Sequence, residues 1–443
     1  AQHQPVEAYG VSRTRLLWAG VLICPARKDS SVFHSLRRWL AAGSAVAVAL
    51  VGLVAAPAPA QAIAPTGKVS VASVSRPAKA ANWLAKNPAG ADDGYVYKIY
   101  NATGLAALST SSTTATLRKR VKELRSGAAA AVAAKPTVAP YLAILADALH
   151  LNPRDFGGVN LVQTIQAGAS DGESYTYAYG QALAIIALKR ADATVPSSLV
   201  TSLLAGQNTT GADAGAFGYS WGGTYYPDPD STALAIQALD VVGKTKYADQ
   251  VKKAAAWAKK TQQRDGYWDA YSKVDSTSLL ATALKTVKAS TTKSLGLNAV
   301  YTKAAKWLAK QQLSNGGFPG TGTQADLMAT FDASFLLTGK AWSTFSYKLR
   351  HFSKISKPTI TGTKKVGSTL TAKLPGWTPK IVNSTTVTYQ WLRNGKKVTG
   401  ATASSYLLTA ADKGKRIQVR VKVAEIGLVT VVKTSSPTKK ISA

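Results

Sequence analysis

A short pattern of residues recurs along this chain, and the recurrence limits the fold more than any other feature. Its clearest copy covers residues 213–240, DAGAFGYSWGGTYYPDPDSTALAIQALD: a Gly/aromatic loop, an acidic turn, then an apolar helix. Leu234, Ala235, Ala238 and Leu239 fall on one face at helical spacing. Asp230 or Ser231 stands where an N-cap oxygen would accept from an orphan N–H of the first turn. Asp265-Gly266-Tyr267 leads in the same way to Asp275-Ser276-Thr277 and the run Leu279, Leu280, Ala283, Leu284. Asn315-Gly316-Gly317-Phe318 leads to Asp326 and a run through Ala329, Ala333 and Leu336, and fainter copies begin at Asp93-Gly94-Tyr95 and Asp171-Gly172. A Trp-bearing helix recurs over 77–86, 253–260 and 303–310, which places Trp83, Trp257 and Trp307 at equivalent positions, with a period near 50 residues between the last two copies. A helix pair of this kind cannot bury both of its apolar faces alone, so successive pairs must stack. Ten to twelve helices are expected between 77 and 340, with no strand pairs.

The block 307–318, which runs from Trp307-Leu308-Ala309-Lys310-Gln311-Gln312 to Asn315-Gly316-Gly317-Phe318, and the Asp-Ser-Thr-Ala-Leu-Ala block from 230 resemble the prenyltransferase/squalene-oxidase repeat. That resemblance covers 77–342. It implies the terpenoid-cyclase-like α/α toroid, the fold of terpene cyclases, protein prenyltransferase β-subunits, complement thioester domains and cobalamin carriers. It speaks to fold, because the repeat residues close loops and pack helices, and leaves function to the site. Five or six helical hairpins are expected over 77–345.

Beyond 357 the texture changes to Thr, Val, Ser and Lys in alternation, as in Val387-Thr388-Tyr389-Gln390-Trp391-Leu392 and Ile417-Gln418-Val419-Arg420-Val421, which reads as half-buried strands. Trp391 on a central strand and Asp412-Lys413-Gly414-Lys415 before a late one resemble the bacterial Ig-like modules appended to secreted proteins. A seven-strand β-sandwich without a disulfide is expected over 357–443, after a linker at 346–356. The chain is therefore multidomain and mainly α.

Charge is lopsided, with 54 Lys and Arg against 22 Asp and Glu. Residues 357–443 hold sixteen of the cations against Asp412 and Glu425 alone. Such a surface favours an anionic partner, here an anionic cell-wall polymer. At the other end, Arg37-Arg38, the apolar run 39–54 and Ala60-Gln61-Ala62 have the form of a signal peptide over 37–62, cleaved after Ala62 and followed by a linker over 63–76. Residues 1–36 fit neither signal nor domain and are expected to be a gene-model extension, with the true start near Val32. Cleavage would leave no stable membrane span and a secreted or cell-wall-associated protein, for which nucleic acid is disfavoured as a partner.

Several chemistries are set aside by the residues present. Zinc-dependent prenyl transfer needs Cys, His and Asp ligands, yet Cys24 is the one cysteine and only His150 and His351 follow residue 62. No metal and no cofactor is expected. A complement-type thioester lacks its cysteine, and a Ser-His-Asp triad around His150 lacks a nucleophile-elbow glycine pattern. Asp228-Pro229-Asp230-Ser231 resembles the Asp-x-Asp-Asp acid motif of class II terpene cyclases, with Asp230 in the proton-donating middle position and Ser231 in place of the last Asp. Asp230 and Asp275 are thus the candidates for a catalytic acid, and helix capping is the alternative role of both. The loop aromatics, with carboxylates between them, would suit a sugar chain or another ligand with apolar faces and hydroxyls. The candidate binding residues are Tyr175, Tyr177, Trp221, Tyr225, Tyr226, Asp228, Trp268, Asp269 and Tyr271. The leading expectation is a non-catalytic binding protein for a carbohydrate or other small ligand. The alternatives are an enzyme acting in the ring on a polysaccharide or isoprenoid, and a carrier resembling the cobalamin-binding toroids.

Overall fold

The computed structural model describes residues 74–90, 93–171, 173–374, 376–378 and 386–443. The expected signal peptide, Cys24 and most of the 63–76 linker lie outside them. Thirteen α-helices occur among the described residues. The first are α1 (Arg76–Lys86), α2 (Tyr95–Leu108), α3 (Thr114–Ala134), α4 (Ala139–Ala148), α5 (Leu161–Gly168), α6 (Ala178–Arg190) and α7 (Ser197–Ala205). There follow α8 (Pro229–Gly243), α9 (Ala248–Thr261), α10 (Lys273–Leu284), α11 (Ala289–Leu295), α12 (Leu297–Gln311) and α13 (Leu327–Thr338).

Six of these form a closed inner ring: α2 packs on α4, α4 on α6, α6 on α8, α8 on α10, α10 on α13, and α13 returns to α2. The inner helices are buried almost all round, α10 from Val274 to Leu284 without a break, as expected of helices apolar on every face. The outer helices α1, α3, α5, α7, α9 and α12 each lay one apolar stripe on the ring. The result is an α/α toroid of six hairpins.

The repeated loop residues act as latches between neighbouring hairpins. Gln207, Gln262 and Gln312 each donate to their own loop glycine's carbonyl (Gly215, Gly266, Gly316) and to a carbonyl of the next outer helix, at Gln250, Val300 and Arg76 respectively. The third latch reaches α1 and so joins the last repeat to the first. At Gly316 the backbone has φ +96, and a Cβ would stand 2.6 Å from the Lys79 carbonyl oxygen; only glycine fits. Gly215 and Gly266 meet Lys253 and Lys303 in the same way. The residues Phe217, Trp268 and Phe318 donate their N–H groups to Thr232, Thr277 and Thr330 of the inner helices. These bonds are the physical content of the Gly-aromatic to Thr spacing.

Two expectations are corrected here. The ring domain does contain strand pairs: β1 (Gly218–Trp221) with β2 (Thr224–Pro227), and β3 (Phe318–Pro319) with β4 (Ala325–Asp326). Gly222 and Gly223, both at positive φ, make the two-residue turn that such hairpins favour. The N-caps also lie earlier than expected. Asp228 accepts from the backbone of Asp230 and Ser231, with Pro229 in the first turn, and Ser272 accepts from Asp275. Proline suits that position because its missing N–H would be unpaired there anyway. Asp230 and Asp275 are thereby released from capping.

Residues 340–347 close the carbonyl end of the ring. Lys340 donates to the Ala107 carbonyl at 2.8 Å, Arg190 to those of Trp342 and Phe345, Tyr347 N–H to Ala148, and Ser343 N–H to Gln237. Trp342 stacks on Phe335 and meets Phe331 and Tyr141 edge-on. The contacts to Ala107, Ala148 and Arg190 are at the C-terminal ends of α2, α4 and α6, and the segment itself leaves the C-terminus of α13, so these inner helices run parallel and their N-termini share the opposite rim.

The C-terminal region forms β5 (Thr359–Thr361), β6 (Thr369–Lys373), β7 (Thr386–Arg393), β8 (Lys396–Lys397), β9 (Ser405–Leu407), β10 (Ile417–Ala424) and β11 (Val431–Thr434). Sheets β11-β10-β7-β8 and β5-β6-β9 share one apolar core around Trp391, Leu370 and Val419. Its two acids are both committed to structure. Asp412 is buried and bonded to Arg393 at 2.6 Å, Tyr406 and Thr409. Glu425 pairs with Arg118 of α3 at 3.5 Å, and Arg118 also donates to the Ile426 carbonyl.

Candidate functional site

The N-terminal rim of the inner helices carries two features, an aromatic groove and a carboxyl cluster. Of the four exposed large aromatics of the described residues, Tyr97, Tyr177 and Tyr271 lie at or just before the start of an inner helix, and Trp221 lies at the tip of the hairpin that leads into α8. The β1–β2 hairpin shapes the groove. Tyr219 and Tyr226 are cross-strand partners with stacked rings 5.5 Å apart, and Tyr177 meets Tyr219 edge-on at 6.2 Å. Trp221 projects from the hairpin tip, 67% exposed. Beside this ribbon lies a groove of about 400 Å³ lined by Tyr177, Tyr219 and Tyr225 with Gln181, Asn208 and Ser202.

The expected binding residues divide by burial. Tyr177, Trp221, Tyr226 and Tyr271 reach the surface, the first three on the hairpin and its neighbour, Tyr271 one hairpin along. Tyr225 lines the groove, with its hydroxyl donating to the Gly206 and Ala216 carbonyls. Tyr175 is buried under α5 and α6. Trp268 needs correction: it is 1% exposed and its Nε1 donates to the Ala258 carbonyl at 2.8 Å, so it is a core residue plugging the loop. Asp269 is a surface group 3.6 Å from Lys273. Asp228 is the cap already described.

The carboxyl cluster draws Asp230 from α8, Asp275 from α10 and Asp332 from α13 into one electrostatic neighbourhood. Burial pushes Asp230 well above the usual carboxylate range, reinforced by the charges of Asp228 and Asp275 and opposed by a bond from Ser276. Asp332 is raised in the same direction by burial and by Asp275, Asp230 and Asp326. Burial lifts Asp275 to about 7, with Ser272 opposing and Asp326 adding. Like charges in low dielectric cannot all ionise, so the group holds shared protons. Tyr141 is hydrogen-bonded to Tyr100 and Tyr179 beside it, and these hydroxyls feel the Asp332 charge. The cations Arg190 and Lys340 gather at the other end, each bonded to carbonyls that end inner helices or follow them. This polarity matches the helix dipoles.

Asp332 was missed in the sequence, although a signal existed: Asp332 is the one ionisable residue inside the otherwise uncharged helix LMATFDASFLLT. Tyr100 and Tyr141 carried no comparable mark.

No family model and no curated protein matches this chain. Among solved structures, it is similar to the type II terpene cyclase MstE from Scytonema in complex with geranylgeranyl dihydroxybenzoate. The identity is 15% and the TM-score 0.44, over 60% of this chain and 96% of that one. It is also similar to a possible member of GH105 family from Salmonella enterica serovar Paratyphi A, at 11% identity and TM-score 0.42, over 63% and 98%. Likeness at this level carries neither protein's chemistry to this chain, whose ring is defined by its own helix contacts.

Proposed function

We propose that this is a secreted, cell-envelope-associated binding protein whose ring rim grips a carbohydrate chain and whose basic, Ig-like β-domain holds an anionic wall polymer. The aromatic ribbon Tyr177–Tyr219–Tyr226 with Trp221, set beside an amide- and hydroxyl-lined groove, carries the reading. Flat aromatic faces cover the C–H faces of sugar rings, while Asn208 and Ser202 offer both donors and acceptors to hydroxyls. Small-molecule sites combine these two kinds of surface. The β-domain contributes charge. With Asp412 and Glu425 both tied into bonds, no free acid among its described residues offsets cations such as the outward-facing Arg420 and Lys422 of β10. Export rests on the sequence of residues 37–62.

Calorimetric titration with neutral and anionic wall polysaccharides, at low and high salt, tests both halves. The neutral chains should bind independently of salt and lose affinity in Trp221→Ala and Tyr177→Ala. The anionic polymer should bind at low ionic strength and dissociate at about 0.5 M salt, where exposed charges are screened within a few Å. Binding of neutral chains that both variants leave intact would sink the rim assignment. New reducing ends in the incubated polysaccharide would move the reading to catalysis.

A further inference from the structure

We propose that the mouth of the ring binds an organic ammonium ion, held by Asp230, Asp275 and Asp332 and faced by the tyrosines Tyr97, Tyr100 and Tyr179. The first support is charge. In a chain with a formal net charge of +32, Asp228, Asp230, Asp275, Asp326 and Asp332 lie close enough to perturb one another. None of the five forms an ion pair among the described residues. No Lys or Arg is among the groups that shift Asp230, Asp275 or Asp332. Concentrating like charges in a buried place is costly, and such arrangements cluster at functional sites.

The second support is an unmet bond. Asp228 and Asp326 are occupied as N-caps. One oxygen of Asp230 and one of Asp275 are buried with no partner, and Asp275 is 7% exposed. One turn below Asp275 on the same helix, the Ser278 hydroxyl is buried and unpartnered too. Buried polar atoms are rarely left so. The helix dipoles favour first-turn carboxylates such as Asp230 and Asp275, but Asp332 lies in the second turn of α13, where that support has faded.

The identity of the cation follows from spacing and surroundings. Among the described residues no three His, Cys, Asp or Glu side chains converge closely enough to hold one metal ion. A divalent ion chelated by three of these carboxyls therefore does not fit the arrangement. Beside them Tyr97, 37% exposed, edge-on to Tyr100 at 5.9 Å and within reach of the Asp275 and Asp326 charges, offers an aromatic ring of the kind that attracts ammonium groups.

Thermal shift and titration calorimetry on the whole protein test this, with choline chloride and glucosamine hydrochloride as probes and N-acetylglucosamine as the neutral control. An ammonium probe should raise the melting temperature where N-acetylglucosamine does not, and more at pH 8 than at pH 5. Asp228, Asp326, Tyr97, Tyr100, Tyr141 and Tyr179 are the other titratable groups facing the cluster. The tyrosines are held neutral by burial, so carboxyl protons set the trend. Binding at pH 7 should release protons, visible as heats that differ between phosphate and Tris buffer. Asp332→Asn should weaken binding about tenfold with an unchanged circular dichroism spectrum. Trp221→Ala should leave ammonium binding untouched, which separates failure here from failure of the carbohydrate reading. Equal responses to glucosamine and N-acetylglucosamine, tighter binding at pH 5, or a larger shift with calcium or magnesium than with either ammonium would overturn the proposal.

Discussion

Replacing Asp275 by Asn should stabilise the protein at pH 8 and leave it nearly unchanged at pH 4. The carboxyl is buried, and burial moves its pKa from 3.8 to about 7. A folded-state value above the unfolded one means that the folded chain binds more protons between pH 4 and pH 7. Stability therefore falls as pH rises through that window and levels off above it. At 1.36 kcal/mol per tenfold, the full penalty is about 4 kcal/mol. Asn keeps the shape of the neutral acid and cannot ionise, so the variant escapes the penalty. For about 370 folded residues the unfolding entropy is roughly 0.8 kcal/mol/K, so the gain at pH 8 corresponds to about 5 °C in melting temperature. Differential scanning calorimetry of both proteins at half-unit steps from pH 4 to pH 8 measures it. A variant less stable than the parent at pH 8, or an offset that does not change with pH, would refute the reasoning.

Other expectations are simpler to check. Gly316→Ala should cost about 2–4 kcal/mol in denaturant unfolding, because φ is +96 and the Lys79 carbonyl oxygen occupies the Cβ position. The control Gly322→Ala, with open space around it, should cost little. Arg118→Met removes the bond to the Ile426 carbonyl and the Glu425 pair, and should make the 346–356 connection more susceptible to trypsin without loosening either core. Phe345→Ala opens the floor of the ring beneath Phe335 and Trp342, and should cost about 3–5 kcal/mol by urea denaturation.

Much of the ring was legible because its repeat is local. The Gly-aromatic loop and the Asp-Ser-Thr helix start recur as written, and the structure supplies the reason: each glycine meets a carbonyl of the next outer helix and each Thr accepts from the aromatic residue's N–H. The β1–β2 hairpin was legible too, as Gly-Gly between alternating aromatics in GYSWGGTYYP, but the helical period of the surrounding repeats overrode it. The caps were displaced for a similar reason. Asp228 before Pro229 is the stronger start signal, and the apolar run after Ser231 drew attention two residues too far along. The carboxyl cluster could not be read locally at all. Asp230, Asp275 and Asp332 sit on three different helices, and only ring closure between α13 and α2 sets tyrosines of α2 beside them. Burial, which separates Trp268 from Trp221, is likewise a property of the assembled ring.

Where a polysaccharide sits on the molecule tests the central claim most directly. Hydroxyl-radical footprinting with and without isolated wall polysaccharide reports it residue by residue. Oxidation of Trp221, Tyr177 and Tyr226 should fall on binding, while the exposed Leu407 of the β-domain stays unchanged. Protection confined to the β-domain, with Trp221 and Tyr177 oxidised as before, would contradict a ligand site on the ring.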